Sequence, residues 1–166
     1  MSDSGETVEP RGSSLQSAVV HLTELAASKQ LVLLGDQVGI SQHVCFVADA
    51  LPELYSAGVT NLAWEFTNRR SQKQLDELVL GDSWDERQCV DLFLDLLGIG
   101  FTYREYAGVL KAAWALNRGL EAGRDPFRVI GLGLPTYVEN PELLDGRSAT
   151  ELELRNWWMG GHYRDV

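Results

Sequence analysis

Apolar residues recur at helical spacing over much of the chain, and this pattern predicts several amphipathic helices. One of them is expected to have Ser41 as its N-cap, to be kinked or divided at Pro52 and to end at Gly58. Another is expected to begin with a capping box formed by Ser83 and Glu86. The segments with helical spacing are residues 15–29, 41–57, 70–80, 83–97, 103–117 and 150–159.

Three short apolar runs lie between these helices and predict strands at residues 31–34, 61–66 and 127–132. The first run, LVLL, is uninterrupted, which is typical of a strand buried on both faces of a parallel sheet. Because strands alternate with helices, we expect an α/β fold: a short, mostly parallel sheet with flanking helices and right-handed crossovers.

Polar residues stand where the predicted strands end. Asp36 follows the first strand, Glu65 lies at the end of the second, and Gly131–Gly133 close the third. Ligands of open α/β sheets bind along the carboxyl edge of the strands. We therefore expect Asp36 and Glu65 to share one edge, with His43 leaning over it from the first turn of the next helix.

Two interpretations of these three residues follow from the pattern. Two close carboxylates beside a histidine can share a proton, hold a cation or perform general acid–base catalysis. In the purely structural interpretation, Asp36 caps the following helix, Glu65 pairs with Arg69 or Arg70, and His43 is a partly buried helix residue.

Composition narrows the range of partners. The chain has 14 Lys plus Arg against 24 Asp plus Glu, a net charge of -10, so phosphates would be repelled and we expect no nucleic acid and no anionic membrane as a partner. It also lacks an apolar run of the roughly 20 residues that span a bilayer.

The first 14 residues are polar and lack the apolar core of a signal peptide, so we expect a disordered tail at 1–14 and a single α/β domain at 15–166 of a cytoplasmic protein. The two cysteines, Cys45 and Cys89, lie within apolar periodic segments and are expected to be buried free thiols.

The stretch LVLLGDQVGISQH followed by LAWEF resembles the superfamily of erythromycin esterase-like, ChaN-like haem-binding and Tiki proteins. The resemblance places Asp36 and Glu65 at the family's two acidic positions and His43 at a histidine often seen on the first helix of ChaN-like members. Near the end, RNWWM places Arg155 and Met159 where the group tends to have an arginine and a methionine. The resemblance covers residues 31 to 159.

The position of the family's motif histidine holds Val38, which has no polar side-chain atom. Any dependence on an imidazole would therefore fall to His43. The resemblance also implies further strands after the Arg155 segment, and only three strand candidates occur where sheets average about five or six strands. We therefore expect an incomplete version of a larger α/β domain, with an open edge that favours a homo-oligomer or a partner.

These expectations lead to a hydrolase-like protein, active or degenerate, that acts on or binds a small molecule through Asp36, His43 and Glu65, with Arg155 as a further site residue. The alternatives are a non-catalytic protein that binds haem or a divalent metal, as the resemblance implies, and an inactive truncated fragment.

Overall fold

The computed structural model describes residues 11–37, 39–94 and 104–133, with side chains from residue 16 onward. Within them, helices alternate with a two-stranded parallel sheet, which confirms the α/β fold class. The elements in chain order are α1 (Arg11–Ser28), α2 (Ser41–Ser56), β1 (Asn61–Asn68), a 3₁₀ turn (Arg69–Ser71), α3 (Gln72–Leu80), α4 (Glu86–Leu94), α5 (Arg104–Arg118) and β2 (Arg128–Gly133).

The two strands pair in parallel, with Asn61 opposite Arg128 and Trp64 opposite Gly131. They approach each other closely near Gly131, where an added Cβ atom would lie 2.7 Å from the backbone oxygen of Asn68. A side chain at this position would collide with the neighbouring strand, so glycine permits the close pairing.

One face of the sheet carries the core. Trp64 and Phe66 of β1 and Val129 of β2 pack with buried side chains of α2, α3, α4 and α5. On the opposite face, Ala63 and Leu132 are exposed and Ile130 is half-buried. The described helices therefore cover the sheet from one side.

The outer edge of β2 is closed by a side chain. The Nε2 atom of Gln72 donates to the carbonyl of Val129 at 2.9 Å, and its Oε1 atom accepts from the backbone N–H of Gly131 at 2.9 Å. These are the two bonds that a neighbouring strand would supply, so the amide of Gln72 stands in for a third strand on this side.

The start of β2 is fixed by Asn117 near the end of α5. Its Oδ1 atom accepts from the N–H of Phe127 at 2.7 Å, and its Nδ2 atom donates to the carbonyls of Phe127 at 2.8 Å and Val79 at 3.2 Å. One side chain therefore connects the end of α3, the end of α5 and the residue before β2.

Helix α2 departs from its predicted start but not from its predicted end. Its N-cap is Ile40, which makes no side-chain cap, rather than Ser41. The helix is continuous through Pro52, so the proline does not divide it. At the other end Gly58 has a φ of +98°, and the N–H groups of Gly58 and Val59 bond back to Tyr55 and Leu54, which satisfies the last carbonyls as expected.

The predicted capping box of α4 is wrong. Asp85 caps this helix, because its Oδ1 atom accepts from the N–H groups of Arg87 and Gln88 at 2.9 and 3.0 Å. Glu86 instead accepts from the indole N–H of Trp84 at 2.7 Å. An aspartate directly before the helix competes better for the free N–H groups than Ser83 two residues further away.

The predicted buried strand at residues 31–34 is not formed in the structure. This segment has no regular secondary structure, and Leu31, Leu33 and Leu34 are 72, 86 and 54% exposed. The apolar run indicated that these residues can be buried, but in the structure no described strand pairs with them.

Two smaller expectations can be compared with the structure, and a third lies outside the described residues. Helix α1 begins at Arg11, within the tail predicted to reach residue 14. Cys89 is buried and free as expected, whereas Cys45 is free but exposed. The amphipathic segment predicted at 150–159 lies outside the described residues.

Candidate functional site

A tight turn before α2 brings two of the predicted site residues together. Gly39 adopts a φ of +88°, and the N–H of Ile40 donates to the carbonyl of Gln37 at 3.2 Å. The chain thus reverses between Asp36 and His43, and Asp36 Oδ1 lies 2.9 Å from His43 Nδ1. The turn converts a separation of seven residues along the chain into a side-chain contact.

The imidazole of His43 has two partners at the same nitrogen. The backbone N–H of Gln37 donates to Nδ1 at 3.3 Å, while Asp36 Oδ1 lies 2.9 Å from the same atom. A ring nitrogen offers one in-plane position, so these contacts belong to different protonation states. When Nδ1 carries a proton it donates to Asp36, and Nε2 is then left as the acceptor of the neutral ring.

The pair lies at the surface. The side chain of His43 is 47% exposed and that of Asp36 is 20% exposed. The exposed imidazole can meet a molecule from solution, while the more covered carboxylate holds the ring in place. The structural interpretation of these residues holds in part: His43 is a half-exposed residue of α2, but Asp36 contacts His43 rather than capping the helix.

A small cavity adjoins the same turn. It has a volume of about 60 Å³ and lies between the beginnings of α2 and α5. Its walls are formed by Gly39, Ile40, Ser41, Val44, Glu105 and Tyr106. Binding sites for whole ligands usually measure about 300–1,000 Å³. This cavity therefore has room for one small group of a ligand.

Glu65 does not join the pair in the described part of the chain. Its side chain is exposed on β1, and no described residue forms a hydrogen bond or an ion pair with it. The expected ion pair with Arg69 or Arg70 is not formed either. Of the three predicted site residues, the structure therefore brings Asp36 and His43 into contact, and Glu65 contacts neither of them.

Neither group implied by the family resemblance fits these residues. Across the described ranges, no three His, Cys, Asp or Glu side chains are close enough together to hold a metal ion. The cavity beside α2 is much smaller than the cleft that a haem requires. The described residues therefore give no support to a metal-dependent or haem-dependent step.

Two predicted positions cannot be compared with the structure. Val38, which replaces the family's motif histidine, and Arg155 both lie outside the described residues. Their expected roles stay predictions.

The structure adds two groups to the candidate site that the sequence did not indicate. The backbone N–H of Gln37 contacts His43, and Glu105 of α5 lines the cavity beside α2. A backbone donor leaves no signal in the side-chain pattern. The approach of Glu105 depends on the packing of α5 against α2, which joins residues about sixty positions apart in the chain.

Comparisons with known proteins provide no further assignment. A scan against protein-family models and searches of curated proteins and solved structures found no match for this chain. The described helices also include none with the length and apolar character needed to cross a membrane.

Proposed function

We propose that this chain is a hydrolase-like protein that acts on a small molecule at the surface formed by Asp36 and His43. The 2.9 Å contact between these side chains is the observation that supports the proposal. A carboxylate that accepts from Nδ1 orients an imidazole and leaves Nε2 available to take a proton from water or from a hydroxyl group.

In this role His43 is the general base and Asp36 is its positioning residue. The exposed face of the imidazole admits the substrate, and the adjoining cavity receives one small substituent. The net charge of -10 disfavours polyanionic substrates, so a neutral or cationic small molecule suits the protein better than a nucleic acid.

The test is ester hydrolysis with p-nitrophenyl acetate as the probe. We expect His43→Gln to lower kcat/KM by about 10²-fold to 10⁴-fold, the usual contribution of a general base. Asp36→Asn should cause a smaller loss, because the amide can still contact the ring but favours a different tautomer.

His21→Gln is the matched control, since His21 is an exposed histidine on α1 that neither contacts Asp36 or His43 nor lines the cavity. It should leave the rate unchanged. Equal rates for the wild type, His43→Gln and His21→Gln would contradict the proposal. A haem titration followed by absorbance tests the non-catalytic alternative: a spectral shift that His43→Gln abolishes would favour a haem-binding protein.

The family resemblance gives a second prediction, at Val38. Replacing Val38 with histidine restores the imidazole that the family's motif carries, and we expect higher hydrolytic activity or a higher affinity for divalent metals. The measurements are p-nitrophenyl acetate turnover and Zn²⁺ titration by calorimetry. The matched control is Val20→His on α1, which should change neither quantity. A folded Val38→His protein with unchanged activity and affinity would count against a latent family site.

A further inference from the structure

The most exposed apolar segment of the described chain lies directly before the proposed site. Leu31, Leu33 and Leu34 are 72, 86 and 54% exposed, although the segment Leu31–Leu34 is a continuous run of aliphatic residues. Single exposed leucines are ordinary on protein surfaces, but a contiguous group of them usually marks a surface that becomes covered.

The two edges of the sheet differ in a way that matters for this segment. The outer edge of β2 is occupied by the amide of Gln72. Along β1, the N–H of Arg128 bonds to the carbonyl of Thr60, so the alternation of a parallel ladder turns Asn61, Ala63 and Glu65 away from β2. No described residue bonds to the backbone groups of these three residues, so within the described part of the chain this edge of β1 is free.

Chain topology leads from the segment to this same edge. Helices α3, α4 and α5 connect β1 to β2, and α2 connects Leu31–Leu34 to β1. The core residues of all these helices pack on one face of the sheet. Right-handed crossovers on the same face advance in the same direction, so the order is Leu31–Leu34, β1, β2. The segment's position in that order is beside the free edge.

We propose that Leu31–Leu34 is a strap that docks on the free edge of β1 as a third parallel strand. Gly35 and Gly39 flank Asp36, and because glycine has no Cβ atom its backbone accepts a wide range of φ and ψ angles, so the chain can reorient at these two positions. Docking satisfies the backbone groups of Asn61, Ala63 and Glu65 and covers part of the leucine surface.

Docking of the strap would also change the distance between the carboxylates of Asp36 and Glu65. A parallel strand that ends at Leu34 carries Asp36 toward the end of β1 that bears Glu65. The strap would thereby bring a second carboxylate close to the Asp36–His43 pair. This inference stands independently of the proposed function, because it concerns strand pairing and requires no catalysis.

Amide hydrogen exchange by NMR on the full chain tests the proposal. The amides of Leu62 and Trp64 face β2 and provide an internal reference within the same strand. With the strap docked, the amides of Ala63 and Glu65 should exchange about 100-fold or more below the rate of an unprotected peptide. Leu33→Asp should remove this protection and lower the melting temperature by several degrees.

Val20→Asp is the matched control, because Val20 is an apolar residue of α1 with 51% exposure. It should leave both the exchange pattern and the melting temperature near those of the wild type. Unprotected exchange at Ala63 and Glu65 in the wild type would overturn the proposal. Protection that increases with protein concentration would overturn it as well, because a second copy would then supply the pairing strand.

Discussion

The two cysteines show how position within a helix decides the chemistry of one residue type. Both were expected to be buried, yet Cys45 on α2 is exposed and Cys89 on α4 is completely buried. Burial raises the pKa of the Cys89 thiol to about 12, with a smaller contribution in the same direction from Glu86 and an opposing one from Lys111. The folded protein therefore favours the neutral thiol of Cys89.

This difference predicts selective labelling. Iodoacetamide reacts with thiolates, so at pH 8 it should modify Cys45 and spare Cys89 until the protein is unfolded. Mass spectrometry of the intact protein should show one adduct in buffer and two in urea. Cys45→Ser provides the control and should give an unlabelled native protein. Rapid double labelling without urea would contradict the buried, neutral state of Cys89.

The same pKa shift makes stability depend on alkaline pH. The pKa of the Cys89 thiol is 9.0 in the unfolded chain and about 12 in the folded one. Its contribution to the free energy of unfolding is therefore complete below pH 9 and is lost as the pH rises toward 12. At pH 11 this loss amounts to about 2–3 kcal/mol of unfolding free energy. Urea unfolding should show a weaker alkaline decline in Cys89→Ala, while Cys45→Ser should follow the wild type.

At the scale of elements, the positions of the described helices and of two strands could be predicted from the sequence, because amphipathic periodicity indicates which face of a segment is buried. Helix α5 and strands β1 and β2 lie within a residue or two of their predicted ranges. The segment Leu31–Leu34 differs because a uniformly apolar run reports a capacity for burial but not a partner. Partners depend on packing between distant parts of the chain, which no local pattern contains.

The same reasoning explains the site. Asp36 and His43 meet because they are close in sequence and a glycine turn joins them, so local pattern was sufficient. The expected position of Glu65 required a strand order that included Leu31–Leu34, and the structure does not contain that pairing. The cap of α4 was missed for a related reason: Ser83 and Asp85 have similar capping ability, and the exact first turn of the helix decides which is used.

The closed edge of β2 gives a prediction about the sheet. Gln72→Ala removes both hydrogen bonds to β2 and a further one to Asp76, and we expect a loss of about 1–3 kcal/mol in unfolding free energy. Gln74→Ala on the same helix is the matched control, since its exposed side chain makes no described hydrogen bond. Chemical denaturation of both variants measures the effect, and equal stabilities would show that water replaces the amide of Gln72 without cost.

At the scale of the whole molecule, charge is the dominant feature. The net charge of -10 means that the excess acidic side chains repel one another in the compact state. The Lys and Arg ion pairs of the described residues are mostly exposed and stabilise the fold only weakly. These pairs are Lys73–Glu77, Arg118–Asp82 and Arg128–Asp76. Screening by added salt should therefore weaken the repulsion between the acidic side chains more than it weakens the attraction within the ion pairs. Sedimentation at several concentrations would test the homo-oligomer, which stays a prediction.

The expected result is a melting temperature that rises by a few degrees between 10 and 150 mM NaCl, where the screening length falls from about 30 to about 8 Å. Sodium chloride is preferable to sulfate, which stabilises proteins through exclusion from their surface. Calorimetry or circular dichroism measures the shift. A fall in melting temperature with NaCl would mean that the ion pairs outweigh the general repulsion.

The Asn117 side chain also bears on the order in which the fold assembles. It bonds to Phe127, only ten residues away, whereas the pairing of β1 with β2 joins residues that are more than sixty apart. Short loops close quickly and at a low entropic cost. We therefore expect the unit formed by α5 and the start of β2 to assemble before the sheet, so that β1 pairs with this preassembled unit rather than with a free strand. Loss of the Asn117 amide would consequently reduce the folding rate as well as the final stability.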